Sequence, residues 1–93
     1  MVDELGLAQR GQALWGDITQ EYGEPQAEKL HLLIEACRLA DQMEALEAIL
    51  KADGYVVNLP GGNVKRHPAD TALKDARSLF LKTLAALELP EEV

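Results

Sequence analysis

The sequence is poor in cysteine and in aromatic residues, and both shortages narrow the range of possible folds. Its 93 residues include one cysteine, Cys37, so no disulfide can form within the chain and a reducing compartment is expected. Four aromatic residues stand against 16 leucines and 13 alanines. Leucine and alanine favour helices, whereas all-β sandwiches and barrels need many β-branched and aromatic side chains. A mainly helical fold is therefore expected.

Long apolar runs are absent as well. No stretch approaches the roughly 18 apolar residues that a membrane-spanning helix needs. The N-terminal segment Met1-Val2-Asp3-Glu4 is acidic and lacks the apolar segment of a signal peptide, so no signal peptide is expected. The length suits one domain over residues 1–93 with a modest core. These features predict a single domain without membrane contact.

Positive charge is scarce overall and is concentrated in one segment. The net charge is −7, with 9 basic and 16 acidic residues. Residues 1–53 carry −7 and residues 54–87 carry +3, while the last six residues carry −3. The overall field of a monomer would not attract a phosphate backbone. Two interpretations of the segment from Lys65 to Lys82 stay open: its bases pair with acids of the preceding helix, or they form a local basic patch.

A first helix is predicted over residues 7–22, where five apolar residues form one stripe: Leu7, Leu14, Trp15, Ile18 and Tyr22. Gly11 and Gly16 weaken this helix, because glycine costs up to about 1 kcal/mol against alanine in a helix interior. Helix one is therefore expected to depend on tertiary contacts.

A second, longer helix is predicted over residues 25–53. Pro25 suits a first helical position and Gly54 suits a stop signal. Two apolar faces run along this helix, so it needs two partners. Either helices one and three of the same chain cover both faces, or another subunit covers one of them. In the second case, the oligomer-interface candidates form a seam with coiled-coil spacing: Leu32, Ala36, Leu39, Met43, Leu46 and Leu50.

A β-hairpin and a third helix complete the predicted fold. Tyr55–Leu59 is the one β-like run, and a Pro-Gly-Gly-Asn turn follows it, which predicts a hairpin over residues 55–66. Pro68 opens a helix over residues 68–88, and an acidic tail follows over residues 89–93. An isolated hairpin is marginal in water, so it must lie on helices or on copies of itself. The predicted architecture is mainly α: a short N-terminal helix plus a long antiparallel helical hairpin, with a small β-hairpin between helices two and three.

No residue set of an enzyme or a metal site is recognisable. The pair Gly61-Gly62 is predicted to form a turn, since neither a P-loop nor a dinucleotide-binding motif surrounds it. His31, His67 and Cys37 lack the spacing of zinc ligands. Cys37 is predicted to be a buried, inert thiol, and His67 to stand at a helix start. We therefore predict a non-enzyme with no catalytic residues, no metal and no cofactor.

Two further residues have alternative interpretations. Asp41 lies four residues after Cys37 on the same side of the helix. It is either a rim residue in water or the partner of a base such as Arg38 or Arg77. Trp15 is predicted to pack in the core or in an interface rather than to stack on a nucleic-acid base.

Several short motifs occur together in a distinctive order. They are Gly6-Leu7, Gly11-Gln12-Ala13-Leu14-Trp15 and Tyr22 in helix one, the run Leu33–Asp41 in helix two, Gly61-Gly62 and His67-Pro68 near the hairpin, and the ending Leu84–Pro90. In this order and spacing the chain resembles the short kind of tailed-phage terminase small subunit, from about Gly6 to Pro90. One departure is Glu88, where similar sequences often have glycine, and it should only lengthen the last helix.

The resemblance implies a role in DNA packaging. A small terminase subunit recognises concatemeric phage DNA and regulates the large subunit, which holds the ATPase and nuclease. Such subunits typically form rings of identical copies, and a ring would repeat the basic segment of each copy around one axis. The implied partners are further copies of the chain, the large subunit and double-stranded DNA, in the host cell cytoplasm.

The DNA-binding candidates are the bases that cluster in this otherwise acidic chain: Lys65, Arg66, Lys74, Arg77 and Lys82. The alternative is an acidic helical protein–protein adaptor, a dimer that makes no contact with DNA. The net charge of −7 favours this alternative.

Overall fold

The computed structural model of the chain describes residues 5–89. Its elements are α1 (Gln9–Tyr22), α2 (Ala27–Asp53), β1 (Val56–Asn58), β2 (Val64–Arg66) and α3 (Pro68–Leu87). The predicted fold class is confirmed: mainly α, with a two-stranded antiparallel hairpin between helices two and three. Residues 1–4, considered above for a signal peptide, and residues 90–93 of the predicted acidic tail lie outside the described residues. Among the residues that are described, no helix is long and apolar enough to cross a membrane.

Helix α2 is the central element, and α3 runs antiparallel to it. At one end of this pair, Asp53 of α2 is hydrogen-bonded to His67. At the other end, the Lys29 ammonium donates to the Ala86 carbonyl oxygen at 3.0 Å. Because α1 covers only the first part of α2, the molecule is elongated, with dimensions of 55 × 26 × 23 Å.

Two apolar clusters hold α2 between its neighbours. The first lies where α1 meets the start of α2 and the end of α3, and contains Leu7, Trp15, Ile18, Leu33, Cys37 and Leu87. The second lies between α2 and α3 and contains Leu39, Met43, Leu50, Ala69, Leu73 and Ala76. Burying one leucine side chain contributes about 1.5–3 kcal/mol. The almost fully buried Leu33, Leu50 and Leu73 are therefore major contributors to the packing.

The seam of α2 is covered by the chain itself. Four of its six residues are buried and two are partly buried against the clusters: Ala36, Leu39, Met43 and Leu50, then Leu32 and Leu46. Of the two alternatives for the apolar faces, cover by helices one and three of the same chain is the one that this structure adopts. A role of the seam in contacts between copies stays a prediction.

His67 connects the end of α2 to the start of α3. Its Nδ1 accepts a hydrogen bond from the Ala69 amide at 3.0 Å and thereby caps α3. An acceptor Nδ1 places the ring proton on Nε2. Nε2 therefore donates to Asp53 Oδ2, 3.1 Å away. His67 thus stands at the helix start, as predicted.

A carboxylate from α2 caps the N-terminus of α1. Ala8, at the N-cap position of α1, provides no side-chain acceptor of its own. Instead, Asp41 Oδ2 accepts from the Ala8 amide at 2.7 Å and Asp41 Oδ1 accepts from the Gly11 amide at 2.6 Å. The negative charge also interacts favourably with the dipole of α1. Asp41 is therefore neither a rim residue in water nor the partner of Arg38 or Arg77.

Gly11 allows α1 and α2 to approach closely enough for this cap. A Cβ atom at Gly11 would lie 2.7 Å from the Cys37 carbonyl oxygen and closer still to the Asp41 carboxylate. Glycine weakens a helix by up to about 1 kcal/mol, but hydrogen bonds to a charged acceptor are strong enough to offset that cost. The residue that weakens helix one in isolation is thus the one that permits its docking.

Alanine at position 11 should therefore destabilise the protein, whereas alanine at position 16 should not. Gly11→Ala forces the Asp41 carboxylate or the backbone to move, and we expect the free energy of unfolding to fall by about 1–3 kcal/mol. Gly16 has open space around its Cβ position, so Gly16→Ala should gain about 0.5–1 kcal/mol from helix propensity. Urea unfolding of both variants measures the difference. Equal effects of the two substitutions would contradict the assigned role of Gly11.

Candidate nucleic-acid interface

The five basic candidates lie exposed on the hairpin and on the helix that follows it. Lys65 and Arg66 belong to β2, and Lys74, Arg77 and Lys82 belong to α3. At about 100° per residue, the three α3 side chains fall within an arc of about 140° and span about 12 Å of the helix. The structure therefore places them on one side of α3 that begins beside the hairpin.

Two of these cations share one buried carboxylate. Asp70 Oδ2 lies 3.0 Å from Arg66 Nε and 3.5 Å from Lys74 Nζ. The Asp70 side chain is only 10% exposed, whereas those of Arg66 and Lys74 are 63% and 56% exposed. Arg66 and Lys74 are thus paired with an acid of α3 itself. The expectation that the bases pair with acids of the preceding helix is wrong for these two, because Asp70 lies one turn before Lys74 in α3 and close to the end of β2, where Arg66 stands.

The other three cations are not neutralised in this way. Within residues 5–89, Lys65, Arg77 and Lys82 form no ion pair. Their side chains are exposed. They are therefore the cations that are most available to an external anion.

An open groove adjoins this basic side of α3. Its volume is about 540 Å³, and it is lined by Arg10, Leu14, Ala40, Met43, Glu47, Arg77, Phe80 and Leu81. Arg10 and Glu47 form an ion pair of 3.0 Å within it. The remaining lining is mainly apolar, so the groove offers no ring of donors to a phosphate and suits apolar side chains instead.

Neither a metal-binding cluster nor a reactive thiol is found in the part of the chain that the structure describes. In the range 5–89 there is no group of three or more His, Cys, Asp or Glu side chains that could hold a metal ion. Burial, and secondarily the charge of Asp41, raises the pKa of the Cys37 thiol from 9.0 to about 11. The thiol is therefore protonated at neutral pH and is a poor nucleophile.

Sequence reasoning missed Asp70 and singled out Asp41 without its true partners. Asp70 could have been found from its spacing, because Arg66 and Lys74 lie four residues on either side of it. The partners of Asp41 are main-chain amides about 30 residues away along the chain, and side-chain patterns do not reveal such partners. The pairing of Asp70 in α3 is therefore visible in the local sequence, whereas the pairing of Asp41 in α2 depends on the tertiary fold.

The comparison with known proteins decides the family. A family model described as phage terminase, small subunit, matches residues 11–90. The chain belongs to the phage terminase small subunit family. No curated protein and no solved structure matches the chain. The match confirms the resemblance seen in the sequence, and it includes Gly11, Asp41 and the five basic candidates.

Membership in the terminase small subunit family suggests the general role of the protein. The family indicates a part in phage DNA packaging, with DNA and the other terminase subunit as partners. Small subunits of this family are generally non-catalytic. The exposed cations of β2 and α3 are the residues of this small subunit that suit contact with a phosphate backbone.

Proposed function

We propose that this chain is the non-catalytic small subunit of a phage DNA-packaging terminase, acting in the host cell cytoplasm. It recognises phage DNA and regulates the large subunit, which holds the ATPase and nuclease, as a homo-oligomeric ring. The observation that carries the proposal is the family match over residues 11–90.

The proposed DNA contact is made by the basic side of α3 and by β2. Lys65, Arg77 and Lys82 are exposed and form no ion pair within residues 5–89, so each can approach a phosphate. Contacts of this kind weaken steeply with salt, because each neutralised phosphate releases counterions. They position a protein on DNA and carry little sequence information.

Repetition of the patch compensates for the acidic charge of each copy. A single chain has a net charge of −7, which repels DNA beyond the local patch. In a homo-oligomer several weak patches act together, and the effective concentration of the second and later contacts is high. The proposed ring therefore binds DNA that one copy would hold only weakly.

A second candidate function is a protein–protein adaptor that makes no contact with DNA. The net charge of −7 favours it, as do exposed leucines such as Leu79 and Leu81, which are 50% and 65% exposed. The adaptor would bind its partners through apolar surface and would not retard duplex DNA at any salt concentration.

Charge reversal on β2 separates the two functions. We expect Lys65→Glu with Arg66→Glu to weaken duplex binding and to reduce the slope of log K against log salt by about 1, because Lys65 contacts a phosphate whereas Arg66 is already paired with Asp70. Fluorescence anisotropy with a labelled duplex over a salt series measures both quantities. The matched control is Arg38→Glu with Lys51→Glu, which changes the net charge equally on the exposed side of α2.

Three results are informative. Loss of binding in the β2 variant alone supports the DNA contact. Equal loss in both variants assigns the effect to overall charge and contradicts a local patch. No binding by the unmodified protein, even at low salt, favours the adaptor.

Removing the shared carboxylate should strengthen binding. Asp70→Asn releases Arg66 and Lys74 from their common partner, so we expect the salt slope to steepen by about 1–2. Asp75→Asn removes the same charge from an exposed α3 position that forms no ion pair within residues 5–89, so its slope should stay unchanged. The same anisotropy series measures both variants. If the two slopes are equal, Asp70 does not restrain these cations.

A further inference from the structure

Within residues 5–89, no helix buries the hairpin. Every residue from 51 to 66 is exposed. Its exposed large apolar side chains are between 37% and 63% accessible: Tyr55, Val56, Val57, Leu59 and Val64. A two-stranded hairpin alone is marginal in water, and a third or further strand is needed for independent stability. The sequence led us to expect that the hairpin lies either on helices or on copies of itself. The structure does not place it on the helices.

The hydrogen bonds of the hairpin show which backbone groups are already used. The Leu59 amide donates to the Asn63 carbonyl oxygen at 2.7 Å, and the His67 amide donates to the Tyr55 carbonyl oxygen at 2.9 Å. Along an antiparallel strand the direction of these groups alternates from residue to residue. The amide and carbonyl of Val57, midway between Tyr55 and Leu59, therefore also point toward β2.

By the same alternation, Val56 and Asn58 direct their amides and carbonyls to the open edge of β1. This edge, Val56–Asn58, carries no charged side chain. The opposite edge, formed by β2, carries Lys65 and Arg66. Charged side chains, lysine above all, protect a strand edge from pairing with another strand. The hairpin thus has one protected edge and one edge that is open to pairing.

We infer that the open edge of β1 pairs with β1 of a second copy of this chain. The two strands run antiparallel across a two-fold axis at Val57, and the two hairpins form one four-stranded sheet. The free amides and carbonyls of Val56 and Asn58 then find partners in Asn58 and Val56 of the second copy. This inference rests on the self-association in the proposed function and adds to it a two-fold contact, distinct from the contact that would close a ring.

The side chains in this register match one another. Val57 stands opposite Val57 of the second copy, and Tyr55 stands opposite Leu59, on one face of the sheet. The pairs that join the two β1 strands on that face are all apolar, and aromatic or β-branched pairs of this type stabilise antiparallel sheets. On the other face Val56 stands opposite Asn58. The strand is therefore complementary to itself, which favours a second copy over an unrelated strand as the occupant.

The charges of the hairpin permit this pairing. Lys65 and Arg66 lie on β2, which becomes the outer strand on each side of the four-stranded sheet. Strands are spaced about 4.8 Å apart, so the cations of the two copies are about 14 Å apart. That distance exceeds the screening length of about 8–10 Å at ordinary ionic strength. A two-fold contact closes on itself and forms a dimer, so a ring needs a second kind of contact between copies.

Cysteine cross-linking tests the register directly. In the inferred pair the two copies of residue 57 form a non-hydrogen-bonded pair with Cα atoms about 4.5 Å apart, within the range of a disulfide. We expect Val57→Cys to give a disulfide-linked dimer with oxidised glutathione about tenfold faster, or more, than Val64→Cys, because paired thiols react at a high effective concentration. The native thiol of Cys37 is buried and does not interfere.

The control is stringent because Val64 is the more exposed residue, at 63% against 37% for Val57. Random collision would therefore cross-link Val64→Cys faster, and that result, or no cross-linking of either variant, would overturn the inference. A circular dichroism spectrum of each variant confirms that the helices are intact.

Charge at the same position provides a second, independent test. Val57→Lys places two like charges opposite each other, so native mass spectrometry should show self-association weakened about tenfold or more, with Val64→Lys unchanged. If Val57→Lys associates like the unmodified chain, the inference fails while the proposed self-association stands. If the chain is monomeric at every concentration, the inferred β1 contact is overturned. The proposed DNA contact is then tested separately, by the fluorescence anisotropy series described above.

Discussion

The contact on which the rest of the structure depends is the cap that Asp41 places on α1. Two amides of α1, at Ala8 and Gly11, donate to one carboxylate of α2, and the missing side chain of Gly11 makes the approach possible. This contact locates the N-terminus of α1 beside the middle of α2. The first half of α2 is therefore covered on both faces, whereas its last turns have only α3 beside them and the hairpin beyond.

The division between a covered half and an open half has consequences for function. The covered half contains the apolar cluster around Leu33 and Cys37, and its charge is acidic. The open half carries the hairpin with Lys65 and Arg66, and Lys74 at the start of α3, whereas Arg77 and Lys82 lie farther along α3, toward the covered half. The proposed function requires surfaces for DNA, for further copies of the chain and for the large subunit. In this chain the exposed groups suited to such contacts lie mainly on the hairpin and on α3, whereas the seam of α2 is occupied by intrachain packing.

Much of the fold was predictable because its signals are local. Each predicted helix begins and ends within two residues of the observed one, since apolar periodicity, Pro68 and Gly54 act on neighbouring residues. The partners of Asp41 were not predictable, because the amides of Ala8 and Gly11 become its partners only after α1 has docked. For the candidate site, sequence patterns identified the five cations but not which of them are held in ion pairs. Asp70 restrains Arg66 and Lys74, a pairing that the spacing of four residues on either side could have indicated.

The Asp41 cap holds α1 on one half of the molecule, and the inferred contact with a second copy lies at the β1 edge of the other half. Both features can be followed by residue-resolved amide hydrogen exchange in dilute and in concentrated solution. We expect the Gly11 and Val57 amides to be protected at both concentrations, whereas the Val56 and Asn58 amides should gain protection only in the concentrated sample. Free exchange at Gly11, or exchange at Val56 and Asn58 that does not depend on concentration, would contradict this expectation.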